Sequence, residues 1–245
     1  MKDPQGEKAK RLKGKKAERL KGTSLPLNLF TSSPLVAAKA LLKAYGIPTP
    51  ESVLTHTIKD AVKAAKSIGF PIVLKIVSSE IIHKSDVGGV KVGIKDVESL
   101  KTSYNKLLDN VKANVPKAKI TGVLVEKMAH PSIEVIIGAL RDPQFGPAVM
   151  FGLGGIFVEA IKDVSFRLAP VNEKEALEMI KEIKAYPLLN GFRGSPRLDV
   201  YTTAKTLLTV SRIISEIEQI KEIDLNPVLV YPEGIMVVDA RVILG

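Results

Sequence analysis

The sequence predicts an α/β protein of the mixed α+β kind, built from two α/β units with a binding cleft between them. From Ser33 onward, the spacing of apolar residues alternates between the helical period and the two-residue period of strands. A proline-containing break at 129–131 divides this pattern, and 245 residues suffice for two small units that share a cleft. We therefore expect a basic, partly mobile extension at 1–32, a first unit at 33–130 and a second unit at 131–245.

The first unit is predicted to begin with a helix. Pro34 follows Ser33 at the position where helices favour proline, apolar residues then recur on one face, and Gly46 ends the helix. The same reasoning predicts, in order, a strand, a helix, two strands, a helix and a strand at Ser52–Thr55, Ile58–Ile68, Pro71–Val77, Val90–Ile94, Val97–Val111 and Gly122–Glu126.

The second unit is predicted to hold two strands, two helices and a final hairpin. The strands and helices are expected at Glu134–Leu140, Ala148–Phe151, Glu173–Lys184 and Tyr201–Gln219. The last two strands, Ile223–Val230 and Ile235–Val242, flank the residues Tyr-Pro-Glu-Gly at 231–234, which are typical of a tight turn.

Composition excludes several classes of function. The chain has no cysteine, which rules out disulfides, thiolate metal sites and cysteine nucleophiles and fits a cytoplasmic protein. Residues 1–22 carry a net charge of +6, so only +4 of the total +10 is left for the rest, and nucleic-acid binding is not expected. The longest uncharged stretch, Pro143–Val158, is shorter than the roughly 20 apolar residues that cross a membrane, so no membrane partner is expected.

A lysine lies within the strongest strand of the first unit. Two-residue alternation places Lys75 on the same face as Val73 and Val77. Two interpretations are open. The ammonium reaches water from a sheet edge while its stem covers the valines, or an anion such as a nucleotide phosphate compensates a partly desolvated ammonium.

A polar loop after that strand carries His83, one of three histidines in the chain. Gly88 and Gly89 permit unusual backbone conformations, and Ser85 and Asp86 can accept the imidazole proton and select one tautomer. A neutral imidazole held in this way is a competent nucleophile toward a phosphoryl group. The alternative is a surface histidine followed by a turn.

Two glycine-rich segments can also contact anions. Three glycines within 152–155 follow an apolar strand, and their exposed amides can approach a phosphate closely. Arg193 lies between Gly191 and Gly194 in a loop, where it can clamp an anion. A tight turn is the alternative explanation of the glycines, and a solvated side chain is the alternative for Arg193.

The C-terminal hairpin predicts a cation site. Across the turn at 231–234, residues whose numbers sum to 465 face each other, so Asn226 faces Asp239 and Asp224 faces Arg241. Facing Cβ atoms lie roughly 4.5–5.5 Å apart. Three oxygen donors at this spacing suit Mg²⁺, although a solvent-exposed polar face with an Asp224–Arg241 pair explains the pattern too.

Seven motifs taken together resemble a known family. They are Lys75 in a strand, His-Lys-Ser-Asp-Val-Gly-Gly at 83–89, Val-Glu-Lys-Met at 125–128, Gly-Leu-Gly-Gly at 152–155, Gly-Phe-Arg-Gly at 191–194, Asp-Leu-Asn-Pro at 224–227 and Val-Asp-Ala at 238–240. The set is similar to the ATP-grasp domain of ADP-forming acyl-CoA synthetases, specifically to the separate β subunit of the archaeal type. The resemblance runs from about Ser33 to Gly245 and implies an ATP-grasp fold with the nucleotide between two subdomains.

The resemblance also implies roles for individual residues. Lys75 would bind nucleotide phosphate, and His83 would carry phosphate transiently between the α subunit and ADP. The implied nucleotide contacts are Glu126, Lys127 and Met128 in the adenine hinge, with Glu134, Gly154 and Gly155. The implied Mg²⁺ ligands are Asp224, Asn226 and Asp239, and weaker correspondences concern Arg193, as a catalytic residue, and Glu159.

The family implies a partner as well. The chain is too short to include a CoA-binding unit and the second histidine-bearing domain of the fused family members, so we expect both on an α subunit in an α2β2 enzyme. The reaction would convert acyl-CoA, ADP and phosphate into acid, CoA and ATP, with ATP/ADP and Mg²⁺ bound here. Two alternatives are a stand-alone ATP-grasp carboxylate–amine ligase, which leaves the His83 loop without a purpose, and a non-catalytic nucleotide-sensing subunit.

Overall fold

A computed structural model describes residues 34–81, 83–155 and 163–245, and these form two antiparallel sheets with helices packed on them. The first sheet has the strand order β1-β4-β2-β3. Its strands are β1 (Ser52–Thr55), β2 (Ile72–Ser78), β3 (Val90–Ile94) and β4 (Ile120–Lys127). The helices of this part are α1 (Pro34–Ala44), α2 (Ile58–Ile68) and α3 (Val97–Asn114).

Helices α2 and α3 begin where the local sequence supplies a cap. The Thr57 side chain accepts the amide of Asp60, and Asp96 and Ser99 form a reciprocal capping box at the start of α3. Both helices pack their apolar faces on one side of the first sheet, where Leu74 and Leu107 are fully buried. The opposite side of this sheet carries the functional side chains described below.

The second sheet has the strand order β10-β8-β5-β6-β7, with β9 paired to β8. Its strands are β5 (Ile133–Asp142), β6 (Gly146–Leu153), β7 (Val164–Leu168), β8 (Ile220–Val230), β9 (Ile235–Val237) and β10 (Ala240–Leu244). The helices α4 (Glu173–Glu182), α5 (Tyr186–Leu189) and α6 (Val200–Glu216) accompany it, and a 3₁₀ turn covers Phe192–Gly194.

The second sheet alternates between a buried face and an open face. Residues such as Ile137, Phe151 and Leu225 point into the core with α4 and α6, whereas Leu140 and Phe166 on the other face are exposed. This two-residue alternation is what an antiparallel sheet covered on one side requires.

Helix α1 belongs to the second core despite its place in the chain. Its residues Ala38, Leu41 and Leu42 are buried among the side chains of the second sheet, and the helix lies against β10. Its first two turns also contact the first sheet, where Leu35 packs on Val77 and Lys39 bonds Glu126. The helix therefore connects the two predicted units.

The predicted hairpin register is confirmed. Val228 pairs with Val237, and Asp224 pairs with Arg241, as the sum of 465 requires. The second strand of the hairpin is interrupted at 238–239 and divides into β9 and β10. The backbone N–H of Asn226 donates to the Asp239 carbonyl at 3.1 Å. The interruption leaves Asp239 beside Asn226 with its side chain half exposed.

Most predicted elements are present, with ends displaced by a few residues. The prediction missed β7, which adds an edge strand to the second sheet, and the short helix α5. The division at residue 130 stays a prediction, and the extension at 1–32 lies outside the described residues. In the described part of the chain, no helix is both long and apolar enough to cross a bilayer.

Candidate functional site

A cavity of about 260 Å³ lies where the loop after β2 meets the hairpin of the second sheet. The loop contributes His83 and Lys84, and the hairpin contributes the three predicted metal ligands Asp224, Asn226 and Asp239. The structure therefore brings together two motifs that are about 140 residues apart in the chain. The open face of the second sheet forms one wall of this cavity, because Asp224 belongs to that face.

Two glycines fix the conformation of the loop that contains His83. A Cβ atom added to Gly89 would lie 2.6 Å from Ile76 and 3.0 Å from the carbonyl of Lys84, so only glycine fits there. The Gly89 amide donates to the Lys84 carbonyl at 2.8 Å, and Gly88 has a φ of +67°, in the region that favours glycine. These contacts fix the backbone of the turn against β2.

His83 itself is exposed at the rim of the cavity. Among the described residues, no hydrogen bond joins its ring to Ser85 or Asp86, so the expected selection of a tautomer by these two side chains is wrong for this structure. The imidazole is thus accessible to a ligand in the cavity rather than tied to its own loop.

An ion pair joins the two sheets at this cavity. The Lys84 ammonium donates to Oδ2 of Asp239 at 3.0 Å, with both side chains partly buried. Lys84 belongs to the His-Lys-Ser-Asp-Val-Gly-Gly motif at 83–89, but no role was predicted for it. Its side chain reaches from the first sheet's loop to a predicted cation ligand of the second sheet.

The hairpin donors fit a divalent cation chemically. Burial raises the pKa of Asp224, Arg241 opposes this, and the carboxylates of Glu222 and Asp239 raise it further. A cation would relieve this excess of negative charge. The Lys84 ammonium already lies at one oxygen of Asp239. Within 34–81, 83–155 and 163–245, no group of three or more His, Cys, Asp or Glu side chains could hold a metal, so a cation here would need the side-chain amide oxygen of Asn226 beside the two carboxylates.

The simpler explanation of the polar hairpin face is wrong in one respect. Arg241 forms its ion pair with Glu222 at 2.5 Å, not with Asp224. The Asp224 carboxylate is therefore left facing the cavity without a salt bridge among the described residues.

Lys75 lies in a buried charged network. Its ammonium donates to Oε1 of Glu126 and to the carbonyl of Val238, both at 2.7 Å, and Lys39 from helix α1 donates to the other oxygen of Glu126. Strand β2 is internal to the sheet and Lys75 is 4% exposed, so the alternative that its ammonium reaches water from an edge is wrong. The compensating anion is a carboxylate of the chain itself, and phosphate binding by Lys75 stays a prediction.

The network holds two ammonium groups against one carboxylate. Burial lowers the pKa of Lys39, Glu126 acts against this, and the nearby Lys75 adds to the decrease. The surplus positive charge makes this part of the interface between the sheets suitable for an anion. Lys39 was missed by the sequence analysis, although it lies on the apolar stripe of α1 between Leu35 and Leu42, the same signal that marked Lys75 between two valines.

The predicted adenine hinge has its polar groups engaged within the protein. The Lys127 ammonium donates to the carbonyls of Gly69 and Phe70, and the Met128 amide donates to the carbonyl of Pro71. The side chain of Glu126 is 1% exposed. Adenine contacts by residues 126–128 therefore stay a prediction.

The other predicted nucleotide contacts lie next to each other. The Gly154 amide donates to the Glu134 carbonyl at 2.7 Å, and a Cβ atom on Gly155 would lie 3.2 Å from Oε2 of Glu134. Glu159 lies outside the described residues. Arg193 is exposed, has a φ of +50° and stacks on Phe192 at 5.2 Å, and it does not line the cavity.

The fold and the cavity agree with the family that the chain matches. A model of the ATP-grasp domain matches residues 33–244. The chain therefore belongs to the ATP-grasp family, and within it to the ADP-forming acetate–CoA ligases and their β subunits. This confirms the ATP-grasp fold class and the resemblance seen in the motifs.

Three relatives support the assignment to the ADP-forming acetate–CoA ligases. The β subunit of ADP-forming acetate–CoA ligase I of Pyrococcus furiosus is 50% identical over 207 residues, 84% of this chain and 89% of that one. ADP-forming acetate–CoA ligase I of Archaeoglobus fulgidus is 46% identical over 213 residues, 86% of this chain but 31% of that one. The structure of acetyl-coenzyme A synthetase 1 of Ca. Korarchaeum cryptofilum, in complex with coenzyme A, Ca-AMPCP and HgCl⁺, aligns with a TM-score of 0.85 and 53% identity, covering 87% of this chain and 94% of that one.

Proposed function

We propose that this chain is the β subunit of an ADP-forming acyl-CoA synthetase and that it exchanges phosphate between a histidine and ADP or ATP. The relatives favour this function over the carboxylate–amine ligase and the nucleotide sensor. One structural observation supports it most. A histidine that is free of protein hydrogen bonds in the described part of the chain lies at the same cavity as Asp224, Asn226 and Asp239.

The proposed step is an in-line transfer to the imidazole of His83. A ring nitrogen attacks the γ-phosphorus of ATP, the nitrogen–phosphorus bond forms, and the bond to the β-phosphate oxygen breaks. ADP leaves, and the second ring nitrogen of a neutral imidazole gives up its proton to solvent. The reverse step phosphorylates ADP, which is the direction of acid and ATP formation.

The residues of the hairpin hold the cation in this proposal. Asp239 and Asn226 would bind Mg²⁺, with Asp224 beside them, and the ion would neutralise charge on the phosphate oxygens. Lys75, Glu126, Lys127, Met128, Glu134, Gly154 and Gly155 would contact the nucleotide, and Arg193 stays a candidate for catalysis. The Ca-AMPCP in the Korarchaeum structure supports a nucleotide with a divalent cation as the ligand.

The partner in this proposal is an α subunit that carries the CoA site and a second phosphohistidine domain. The Pyrococcus relative is named a subunit, and the chain spans only 31% of the Archaeoglobus relative, which is a single longer protein. A histidine at the open rim of the cavity can meet another chain. An α2β2 assembly is the stoichiometry that we propose.

Labelling with [γ-³²P]ATP tests the function. The wild-type chain should acquire acid-labile, base-stable label, and His83→Asn should lose it while it still binds ADP. His56→Asn is the matched control, because His56 is also exposed but bonds the Thr121 carbonyl at 3.0 Å, away from the cavity. Equal labelling of His83→Asn would place the nucleophile elsewhere, and acyl-CoA synthesis by the lone chain would refute the need for a partner.

A further inference from the structure

We propose that Lys84 is a positioning residue whose ammonium occupies the cation position at Asp239 until a divalent cation binds. In that state its side chain ties the turn that follows His83 to the hairpin of the second sheet. The inference rests on the proposed function, which assigns Asp224, Asn226 and Asp239 to the cation.

The contact has the geometry of a substitute cation. The Lys84 ammonium lies 3.0 Å from Oδ2 of Asp239, and the lysine side chain is 14% exposed. Asp239 is kept beside Asn226 by the backbone bond between them, and the ammonium occupies one oxygen of a carboxylate that a metal would use in the proposed site. An ammonium and a divalent cation at one carboxylate repel each other. Lys84 must therefore leave Asp239 when the cation binds.

The turn limits which part of the loop can respond. Gly89 is packed against Ile76 and bonds the Lys84 carbonyl, so the backbone at the glycine end has no room to move. The side chain of Lys84 joins this turn to the second sheet. Release of the ammonium thus frees the Lys84 side chain and leaves the backbone of the turn from Lys84 to Gly89 in place, which differs from a hinge at Gly88 and Gly89.

The freed ammonium then has a new use. It extends from the residue next to His83 into a cavity that the nucleotide phosphates would enter. Its three N–H groups can donate to phosphate oxygens there as a point charge. Cation binding would therefore replace the contact between Lys84 and Asp239 with a contact between Lys84 and the phosphoryl group that is transferred.

Mn²⁺ binding to the full chain without nucleotide, followed by electron paramagnetic resonance, tests the competition. Lys84→Met should bind Mn²⁺ about fivefold more tightly than wild type. This corresponds to ~1 kcal/mol of binding free energy at 1.4 kcal/mol per tenfold change in affinity. It is the upper end of the range of energies for exposed ion pairs. Lys84→Arg keeps the charge and should stay near wild type. Lys101→Met, on an exposed helix face, is the control for loss of a remote charge.

Acetylation measured by mass spectrometry tests the release in the wild-type chain. Mn²⁺ should increase the labelling of Lys84 at least threefold and leave that of Lys101 unchanged. If wild type binds Mn²⁺ and Lys84→Met binds it equally well, or if the labelling of Lys84 does not rise, the inference is overturned while the metal assignment stands. Absence of Mn²⁺ binding to wild type would overturn both.

Discussion

The substitution Glu126→Gln tests the buried charged network most directly. In the folded protein, the Glu126 carboxylate binds Lys39 and Lys75, and the three side chains are between 1% and 8% exposed. Glutamine keeps the shape but removes the negative charge, so two ammonium groups stay buried with no carboxylate between them. Removal of one partner from a buried ion pair costs about 3–5 kcal/mol. This is a large part of the roughly 5–15 kcal/mol that typically stabilises a domain.

A second variant separates charge from packing. Lys39→Met in the Glu126→Gln background removes one of the two unpaired ammonium groups and should recover at least ~1 kcal/mol, as coupled neighbours do. An isolated loss of packing would instead make the double variant less stable than the single one. Glu98→Gln, whose carboxylate forms an exposed pair with Lys101, should change stability by less than about 0.5 kcal/mol.

Urea unfolding followed by circular dichroism and by tyrosine fluorescence measures these free energies. Agreement between the two probes shows that a single transition is being compared. A loss below ~1 kcal/mol in Glu126→Gln would refute the reasoning, because it would mean that the two lysines reach water or lose a proton at little cost in the folded protein.

Three further outcomes are expected. Asp239→Ala should abolish Mg²⁺-dependent ADP binding in calorimetry while the circular dichroism spectrum is retained, and unchanged affinity would disprove the metal assignment. Gly89→Ala should lower the free energy of unfolding by about 1–3 kcal/mol, because its Cβ atom would collide with Ile76, and a gain in stability would show that the turn is loose. The pKa of Lys39 is lowered from its ordinary 10.5, so between its folded pKa and 10.5 the unfolded chain binds more protons than the folded chain. The free energy of unfolding of wild type, relative to that of Lys39→Met, should therefore rise with pH across that window. A flat difference between the two in urea unfolding from pH 7 to 10.5 would contradict this.

The sequence was most informative where local chemistry sets the geometry. The turn at 231–234 determines which residues face each other, so the register of Asp224 and Arg241 could be counted directly. The glycines at 88 and 89 marked a tight turn for the same reason. In both cases, the relevant contacts lie within a few residues or across one hairpin.

The missed features depend on contacts between distant segments. Lys39 and Glu126 are 87 residues apart, and no local pattern shows that the apolar face of α1 meets a carboxylate from β4. The ion pair between Lys84 and Asp239 spans 155 residues in the same way. The edge strand β7 was missed although apolar and polar residues alternate through Val164–Leu168 as in a strand; its apolar side chains Phe166 and Leu168 lie on the exposed face of the sheet.

The position of helix α1 has a consequence for the order of events during synthesis. The helix spans residues 34–44 and leaves the ribosome early, but the strand it packs against, β10, spans 240–244 at the end of the chain. The core of the first sheet, which uses residues between Ala61 and Val125, can form while translation continues. Leu41 and Leu42 cannot be fully covered before residues 240–244 have been synthesised, so nascent chains would expose an apolar helix that chaperones can bind, and closure of the second core would be a late, slow step of folding.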